Sequence, residues 1–279
     1  MTVSTSDAVK TYRYVRLSMV TLVVGLAAAI VVERTKVHPG CFQHSISAYY
    51  YTPVRGVFVG GLLGIAVCLI ALRGNTNAED ALLNLAGGLA PVVAFVPTSN
   101  PGSCTSTPTA EHDPSADVSN NITTLLVILA IALVLAAVLL VREGGHERVE
   151  WALLGGGAAV WVGALLVFDL DRDDFLHKAH YTAAVAMFAC IVAVVLLNAL
   201  GFNRAQTDAG KSPRHPLTNR YAVIAGLMLA GAGGIAVWDW TVGWAHAVLF
   251  IEGTLITLFA AFWVLQTQEL WQGGVRPKH

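Results

Sequence analysis

Eight apolar runs, each close to the length of a membrane-spanning helix, constrain this chain more than any other feature. A helix needs roughly 20 mostly apolar residues to cross a hydrocarbon core of about 30 Å. Only 13% of the 279 residues are charged, and 55% are hydrophobic, so the chain could not cover the surface of a soluble domain. The pattern predicts an all-α transmembrane helical bundle with spans at about 17–33, 54–72, 80–97, 122–141, 151–168, 180–200, 220–239 and 246–265.

The balance of charge narrows the classes of partner. The net charge of −1 excludes a basic nucleic-acid binder, so the expected partner is membrane lipid.

The third run is the least apolar of the eight predicted spans, because it contains Asn84 and begins beside Glu79 and Asp80. No cleavage site for a signal peptide follows the basic start of the chain, so the first span is expected to remain as an anchor. Residues 1–279 are predicted to form a single membrane domain.

Lysine and arginine set the expected orientation, because cytoplasmic loops of membrane proteins are rich in both. With the amino terminus inside, the outer segments contain five of the 17 basic residues: Arg34, Lys36, Arg55, Arg172 and Lys178. The inner segments contain the other twelve: Lys10, Arg13, Arg16, Arg73, Arg142, Arg148, Arg204, Lys211, Arg214, Arg220, Arg276 and Lys278. The asymmetry predicts a multi-pass protein of the cell inner membrane with both termini inside.

Glycines and cysteines give two further expectations. The fifth and seventh spans are rich in glycine, which allows helices to approach closely in lipid, so both are predicted to be central. Cys68 and Cys190 lie within spans and are expected to pack as small apolar groups. Cys41 and Cys104 both lie in predicted outer loops, where disulfides persist, so we expect them to pair.

Polar residues gather at the predicted outer face, most densely in HSISAYYYTPVRG at 44–56. One interpretation is structural: Thr52 caps the second helix, Pro53 begins it, and the tyrosines lie among lipid headgroups. The other is a pocket for a lipid headgroup, in which the arginine meets phosphate. The candidate pocket residues are His44, Ser45, Ser47, Tyr50, Arg55, His180 and Glu252.

Glu252 requires a partner, because an isolated carboxylate within a span is costly. The candidates are the segment Ser45–Ser47, Arg55 and His180. A zinc site is the alternative use of the polar residues, since imidazole and carboxylate groups are zinc ligands. Its candidate ligands are His177, His180, His246 and Asp239. The simpler interpretation is that these histidines only hydrogen-bond near the membrane surface.

Motifs for other chemistries are missing from the sequence. It contains no G-x-S-x-G nucleophile elbow, no phosphate-binding glycine loop, no H-E-x-x-H and no C-x-x-C. The two halves show no inverted repeat, which weakens a transporter interpretation. The expected function is therefore binding of a lipid or small amphiphile in an outward-facing polar pocket. A membrane-embedded zinc hydrolase acting on a lipid is the alternative, and a transporter is the second alternative.

The segment 44–74 resembles an uncharacterised family of bacterial integral membrane proteins with an S-I-S-x-Y-Y-Y-T motif. The matching positions are Ser45, Ser47, Tyr49, Tyr50, Tyr51, Thr52, Arg55, Phe58, Val59 and Gly60. The resemblance continues through Asn84, Ala86, Gly87, Pro97, Thr98, His180, Arg220, Glu252 and Trp263. Relative to that family, 122–168 resembles a helical hairpin inserted into a six-span core, which is distantly similar to DRAM-type proteins. The resemblance implies an architecture and candidate positions but no reaction.

Overall fold

The computed structural model describes residues 5–37, 41–99, 104, 115–142, 148–208 and 219–276. Within these ranges the chain forms eight α-helices and one short 3-10 helix, Ser47–Tyr51, without any strand. The all-α class is therefore confirmed. The α-helices are α1 (Thr5–Lys36), α2 (Arg55–Ala71), α3 (Asn77–Phe95), α4 (Ser115–Arg142), α5 (Arg148–Leu170), α6 (Arg172–Asp208), α7 (Arg220–Val242) and α8 (Ala247–Glu269).

Local capping explains where several helices begin and end. The Thr76 side chain accepts a hydrogen bond from the backbone N–H of Glu79 at the start of α3. Asn219 accepts hydrogen bonds from two N–H groups at the start of α7. These bonds satisfy donors that lack a partner within the helix. Gly243 ends α7 with a φ of 68°, a left-handed conformation that glycine adopts without strain.

Seven of the eight helices are long and apolar enough to cross a membrane, and α2 is shorter with 17 residues. The prediction of eight spans is thus confirmed by length and composition for seven. The start of α2 differs from expectation. Val54, not Thr52, holds the N-cap position of α2, and no side chain caps the helix. The Thr52 hydroxyl donates to the carbonyl of Tyr49 and accepts from the N–H of Val54, and Pro53 lies in the turn before Arg55.

The core of the bundle forms around α3, which packs between α2 and α6. Gly87 allows α2 and α3 to approach closely, since a Cβ at this position would lie 2.9 Å from the carbonyl oxygen of Ala66. Helix α1 packs against α2 and α8, and α7 packs against α8 and α6. The main core is apolar and includes Met19, Leu69, Leu83, Val194, Met228 and Phe262.

Helices α4 and α5 lie at the periphery, where they contact each other, α3 and α6. The prediction that glycine-rich α5 is central is wrong. Its apolar window is only 6% buried, and a Cβ at Gly155 or Gly156 would contact nothing within 4 Å. In α7 only Gly231 has a close neighbour, since a Cβ at this position would lie 3.0 Å from the methyl group of Thr254 in α8. These glycines are therefore mostly on exposed faces rather than in helix contacts.

The two ends of the bundle carry separate groups of buried polar side chains. We call the end at which α1 finishes and α2 begins the disulfide end, and the opposite end, which carries residues 270–276, the tail end. Between them α6 buries only apolar residues from Ala183 to Val195, and α8 does so from Leu255 to Trp263. Among the described residues, neither helix carries a polar path between the ends, so this arrangement gives no support to a transporter.

Candidate functional site

The segment Ser45–Ser47 is held at the disulfide end by Glu252 of α8. The carboxylate accepts hydrogen bonds from the backbone N–H of Ile46 (2.5 Å) and from the Ser47 hydroxyl (2.9 Å). The N–H of Leu249 in the first turn of α8 donates to the carbonyl of His44 at 2.9 Å. Of the three candidate partners for Glu252, the structure therefore selects Ser45–Ser47. The carboxylate satisfies the open N–H end of the 3-10 helix.

The hydroxyl groups of the predicted pocket are bonded to other groups of the protein: Ser47 to Glu252, Tyr50 to Arg55 and Ser45 to the backbone. Ser45 accepts a hydrogen bond from the N–H of Ala48 at 3.0 Å and is buried. Tyr49 and Tyr50 are 2% and 3% exposed, so their side chains contact the rest of the protein rather than surrounding headgroups. Residues 44–51, which we call the plug, are therefore packed against the rest of the protein and do not form the wall of an open pocket.

Arg55 joins this plug to α4. Its guanidinium donates to the Tyr50 hydroxyl (2.6 Å), lies 4.3 Å from the Tyr50 ring centroid, and donates to Asp117 (3.2 Å). Burial raises the pKa of the Tyr50 phenol, and Arg55 opposes this rise. Arg55 and Asp117 are about two-fifths exposed, so their ion pair contributes little on its own. Arg55 thus connects the plug to α4 through its contacts with Tyr50 and Asp117.

His180 does not join the other candidate residues. It is buried in α6, and its Nδ1 donates to the carbonyl oxygen of Val96 at 2.6 Å. Helix α6 begins at Arg172, so His180 lies two turns inside the helix rather than at its start. The seven predicted pocket residues thus divide into a plug held by Glu252, an anchor at Arg55 and a separate contact at His180.

The predicted zinc ligands do not meet either. No group of three His, Cys, Asp or Glu side chains could hold a metal ion within the part of the chain that the structure describes. His177 is exposed and contacts the Asp173 carbonyl, while His246 lies 3.3 Å from the Phe42 carbonyl. The Asp239 carboxylate accepts from the N–H of Trp244. These residues do not fit a zinc site.

The predicted disulfide between Cys41 and Cys104 is confirmed, with 5.8 Å between the Cα atoms. Gln43 reinforces the link, because its side-chain amide donates to the Cys104 carbonyl. Cys68 and Cys190 are free, as expected for packed thiols. The disulfide joins the segment before the plug to the loop between α3 and α4.

Two histidines, His44 and His246, lie close enough to interact electrostatically where the plug meets α8. Partial burial of His44 lowers the pKa of its imidazole, and the nearby His246 lowers it further. Because the folded protein binds this proton less readily than the unfolded chain, stability is full above the ordinary histidine pKa of about 6.5. It declines as the pH falls from there towards the lower pKa of the folded state.

Acidification is therefore expected to lower the thermal midpoint of the purified protein, and His44→Gln should reduce this loss. The glutamine cannot be protonated, so the unfolded chain gains no advantage at this position. Thermal unfolding in one detergent across the range from neutral to mildly acidic pH measures the effect. His177→Gln is the control, since this histidine is exposed. Equal pH dependence of His44→Gln and the wild type would contradict the assignment.

An open groove of about 580 Å³ lies at the disulfide end between the starts of α4 and α6. No candidate from the sequence lines it. Its apolar lining consists of Ala116 and Leu176. Its polar lining consists of Ser119, Asn120, Thr123, Arg172 and Asp173. The sequence did contain a feature that could have indicated the groove: polar residues spaced one helical turn apart at the start of the fourth span.

The tail end contains a second polar cluster that was not predicted from the sequence. Glu79 is 2% exposed and accepts from the N–H of Asn75 (3.0 Å) and the side-chain amide of Asn198 (2.8 Å). Gln266 of α8 donates to Asn198 at 3.0 Å. The cluster thereby joins α3, α6 and α8. The pattern T-x-x-E at Thr76–Glu79, typical of a helix start, was its sequence signal.

Residues 270–276 cross the tail end and are held there by arginines. Arg16, which is 2% exposed, donates to the carbonyl of Gly274 at 2.7 Å, and Arg13 donates to that of Trp271. Arg276 forms two bonds with the Glu269 carboxylate, at 2.9 and 3.1 Å. The tail end is therefore closed by the chain itself, and the cluster beneath it is structural.

No protein-family model, curated protein or solved structure matches the chain in the three comparisons made with known proteins. The resemblance to the S-I-S-x-Y-Y-Y-T family stays a prediction.

Proposed function

We propose that the chain is an eight-span protein of the cell inner membrane, with both termini in the cytoplasm and the disulfide end outside. Seven helices support this by length and composition, and α2 with 17 residues is about 25 Å long. The disulfide supports the orientation, because such bonds persist outside the cytoplasm. Of the basic residues behind the orientation, Lys211, Arg214 and Lys278 lie outside the described residues.

We further propose that this protein binds a lipid or similar amphiphile, without catalysis, in the groove between α4 and α6. The observation that carries the proposal is the continuity of the groove with an apolar stripe on α4. Below the lining residue Thr123, the stripe continues at helical spacing through exposed apolar side chains: Val127, Ile131, Val134 and Val138. A headgroup in the groove would leave its acyl chain along this stripe.

The class of function is the one expected from sequence, but the site differs. The plug residues are occupied by hydrogen bonds within the protein, whereas the groove offers the exposed polar side chains of Asn120, Arg172 and Asp173 to a ligand. A hydrolase receives no support from the described residues. The Ser47 hydroxyl donates to Glu252, and His180 donates to a backbone carbonyl, so neither is arranged as a nucleophile with its base.

Thr123→Leu is expected to weaken lipid binding about tenfold, because it removes a polar group and fills part of the groove. The measurement is labelling by a phospholipid with a photoreactive group beside its phosphate, with the protein in nanodiscs and unlabelled lipid as competitor. Peptide mapping should place the label on the first turns of α4 or α6.

Thr124→Leu is the matched control. Both threonines are exposed, and each hydroxyl donates at 2.8 Å to the carbonyl four residues earlier, but Thr124 does not line the groove. It should therefore label as the wild type does. Equal labelling of the two variants, or label spread evenly over all lipid-facing helices, would refute the proposed function.

A further inference from the structure

The charges of the groove specify the headgroup more closely than its shape does. The groove is lined by one guanidinium, that of Arg172, and one carboxylate, that of Asp173. Arg172 donates to the Ser119 hydroxyl and lies 5.0 Å from the Phe168 ring centroid, but it has no acidic partner among the described residues. The Asp173 carboxylate likewise has no hydrogen bond or ion pair with them. The groove thus presents one unpaired charge of each sign.

The neighbouring acids are used differently, which isolates Asp173. Asp171 accepts from the N–H of Asp174 and so caps the start of α6. Asp174 pairs with Lys178 at 2.5 Å, one turn further along the helix. Neither lines the groove. Asp173 is therefore the acid available to a ligand, and the acidic surroundings disfavour a ligand that is only negative.

We propose, on the basis of the proposed function, that the groove selects a phospholipid headgroup that joins a phosphate to a primary ammonium. The phosphate would accept from Arg172 and from the neighbouring polar groups Ser119 and Asn120. The ammonium would donate to Asp173. A quaternary ammonium has no N–H to donate, and a headgroup without a cation leaves Asp173 unpaired, so both bind less tightly.

The experiment compares three photoreactive lipids as minor components of phosphatidylcholine nanodiscs: phosphatidylethanolamine, phosphatidylcholine and phosphatidylglycerol. The wild type should label about tenfold more with phosphatidylethanolamine than with either of the others, since one charge-assisted hydrogen bond distinguishes them. Asp173→Asn should reduce this preference to less than about twofold by the same reasoning. Arg172→Gln should weaken labelling by all three lipids.

Asp174→Asn is the control for the loss of an acidic charge on the same helix turn, and it should keep the wild-type preference. Equal groove labelling by all three lipids, or a preference for phosphatidylglycerol, would overturn this inference and leave the proposed function standing. Absence of groove labelling by any lipid would refute both.

Water-soluble glycerophosphoethanolamine tests whether the ligand is a lipid or a free headgroup. The soluble headgroup lacks acyl chains to lie on the α4 stripe, so it should compete at least about tenfold less well than the lipid. Competition as strong as that of the lipid would contradict a lipid source.

Discussion

Replacing Glu79 by alanine is expected to destabilise the protein by about 3 kcal/mol, because a buried carboxylate with several partners is lost. The carboxylate is almost fully buried at the tail end and accepts hydrogen bonds from Asn75 and Asn198. It also attracts the buried guanidinium of Arg16. Without it, the backbone N–H and side-chain amide of Asn75 and the amide of Asn198 would lose their acceptor. The buried guanidinium of Arg16 would lose a nearby counter-charge.

The position of Arg16 makes this loss larger. Its Nε and Nη1 atoms are buried and have no hydrogen-bond acceptor among the described residues. A buried charge that loses its counter-charge costs more than the pair contributed when intact. Glu79→Ala should therefore also loosen residues 270–276, because Arg16 holds the carbonyl of Gly274. Thermal unfolding and hydrogen exchange of this segment measure both effects.

Asp80→Ala provides the matched control, because Asp80 is also an acidic residue in the first turn of α3, where a negative charge is favoured by the helix dipole. Its carboxylate accepts from the N–H of Gly74 at 2.9 Å but is only half-buried. The expected loss is about 1 kcal/mol. If Glu79→Ala were no more destabilising than Asp80→Ala, the buried cluster would not contribute as described.

Hydropathy predicts the helices of this protein well, because a span must be apolar whichever neighbours it has. It does not predict which spans are central. Glycines on α5 suggested close packing, yet Gly155 and Gly156 face away from the protein. A small residue permits a close helix contact without requiring one. The partner helix decides the outcome, and a single sequence does not show it.

The polar residues show a second limit of the sequence. The pairing of Cys41 with Cys104 was predictable because they are the only cysteines in the loops predicted to be outside. His177 and His180 were both candidate zinc ligands, but one is exposed and the other buried. A spacing of three places two side chains about 60° apart around a helix, enough to separate the protein side from the lipid side. Which atom each histidine contacts depends on tertiary structure.

Glu79 illustrates the same limit from the other direction. Its charge lowered the hydropathy of the third predicted span, because a hydropathy scale assigns every glutamate the same value whatever its partners in the fold. The structure instead supplies amide donors from α6 and the loop before α3. Tertiary partners decide whether a charged residue opposes membrane insertion or stabilises the fold.

At the disulfide end, Glu252→Leu is expected to lower the free energy of unfolding by about 3 kcal/mol, as Glu79→Ala does at the tail end. Leucine suits a membrane helix, so the substitution removes the hydrogen bonds without disturbing α8. The N–H of Ile46 and the Ser47 hydroxyl would then lose their shared acceptor. The plug would stay tethered by the disulfide but would lose its contact with α8.

Hydrogen exchange separates this local effect from global unfolding. In Glu252→Leu, amides of residues 46–51 should exchange faster than in the wild type, while the α3–α6 core stays protected. Ser47→Ala removes only one of the bonds and should cost about 1 kcal/mol. Faster exchange along the whole of α8 would mean that the leucine perturbs the helix itself. Unchanged exchange at 46–51 would mean that the carboxylate does not hold the plug.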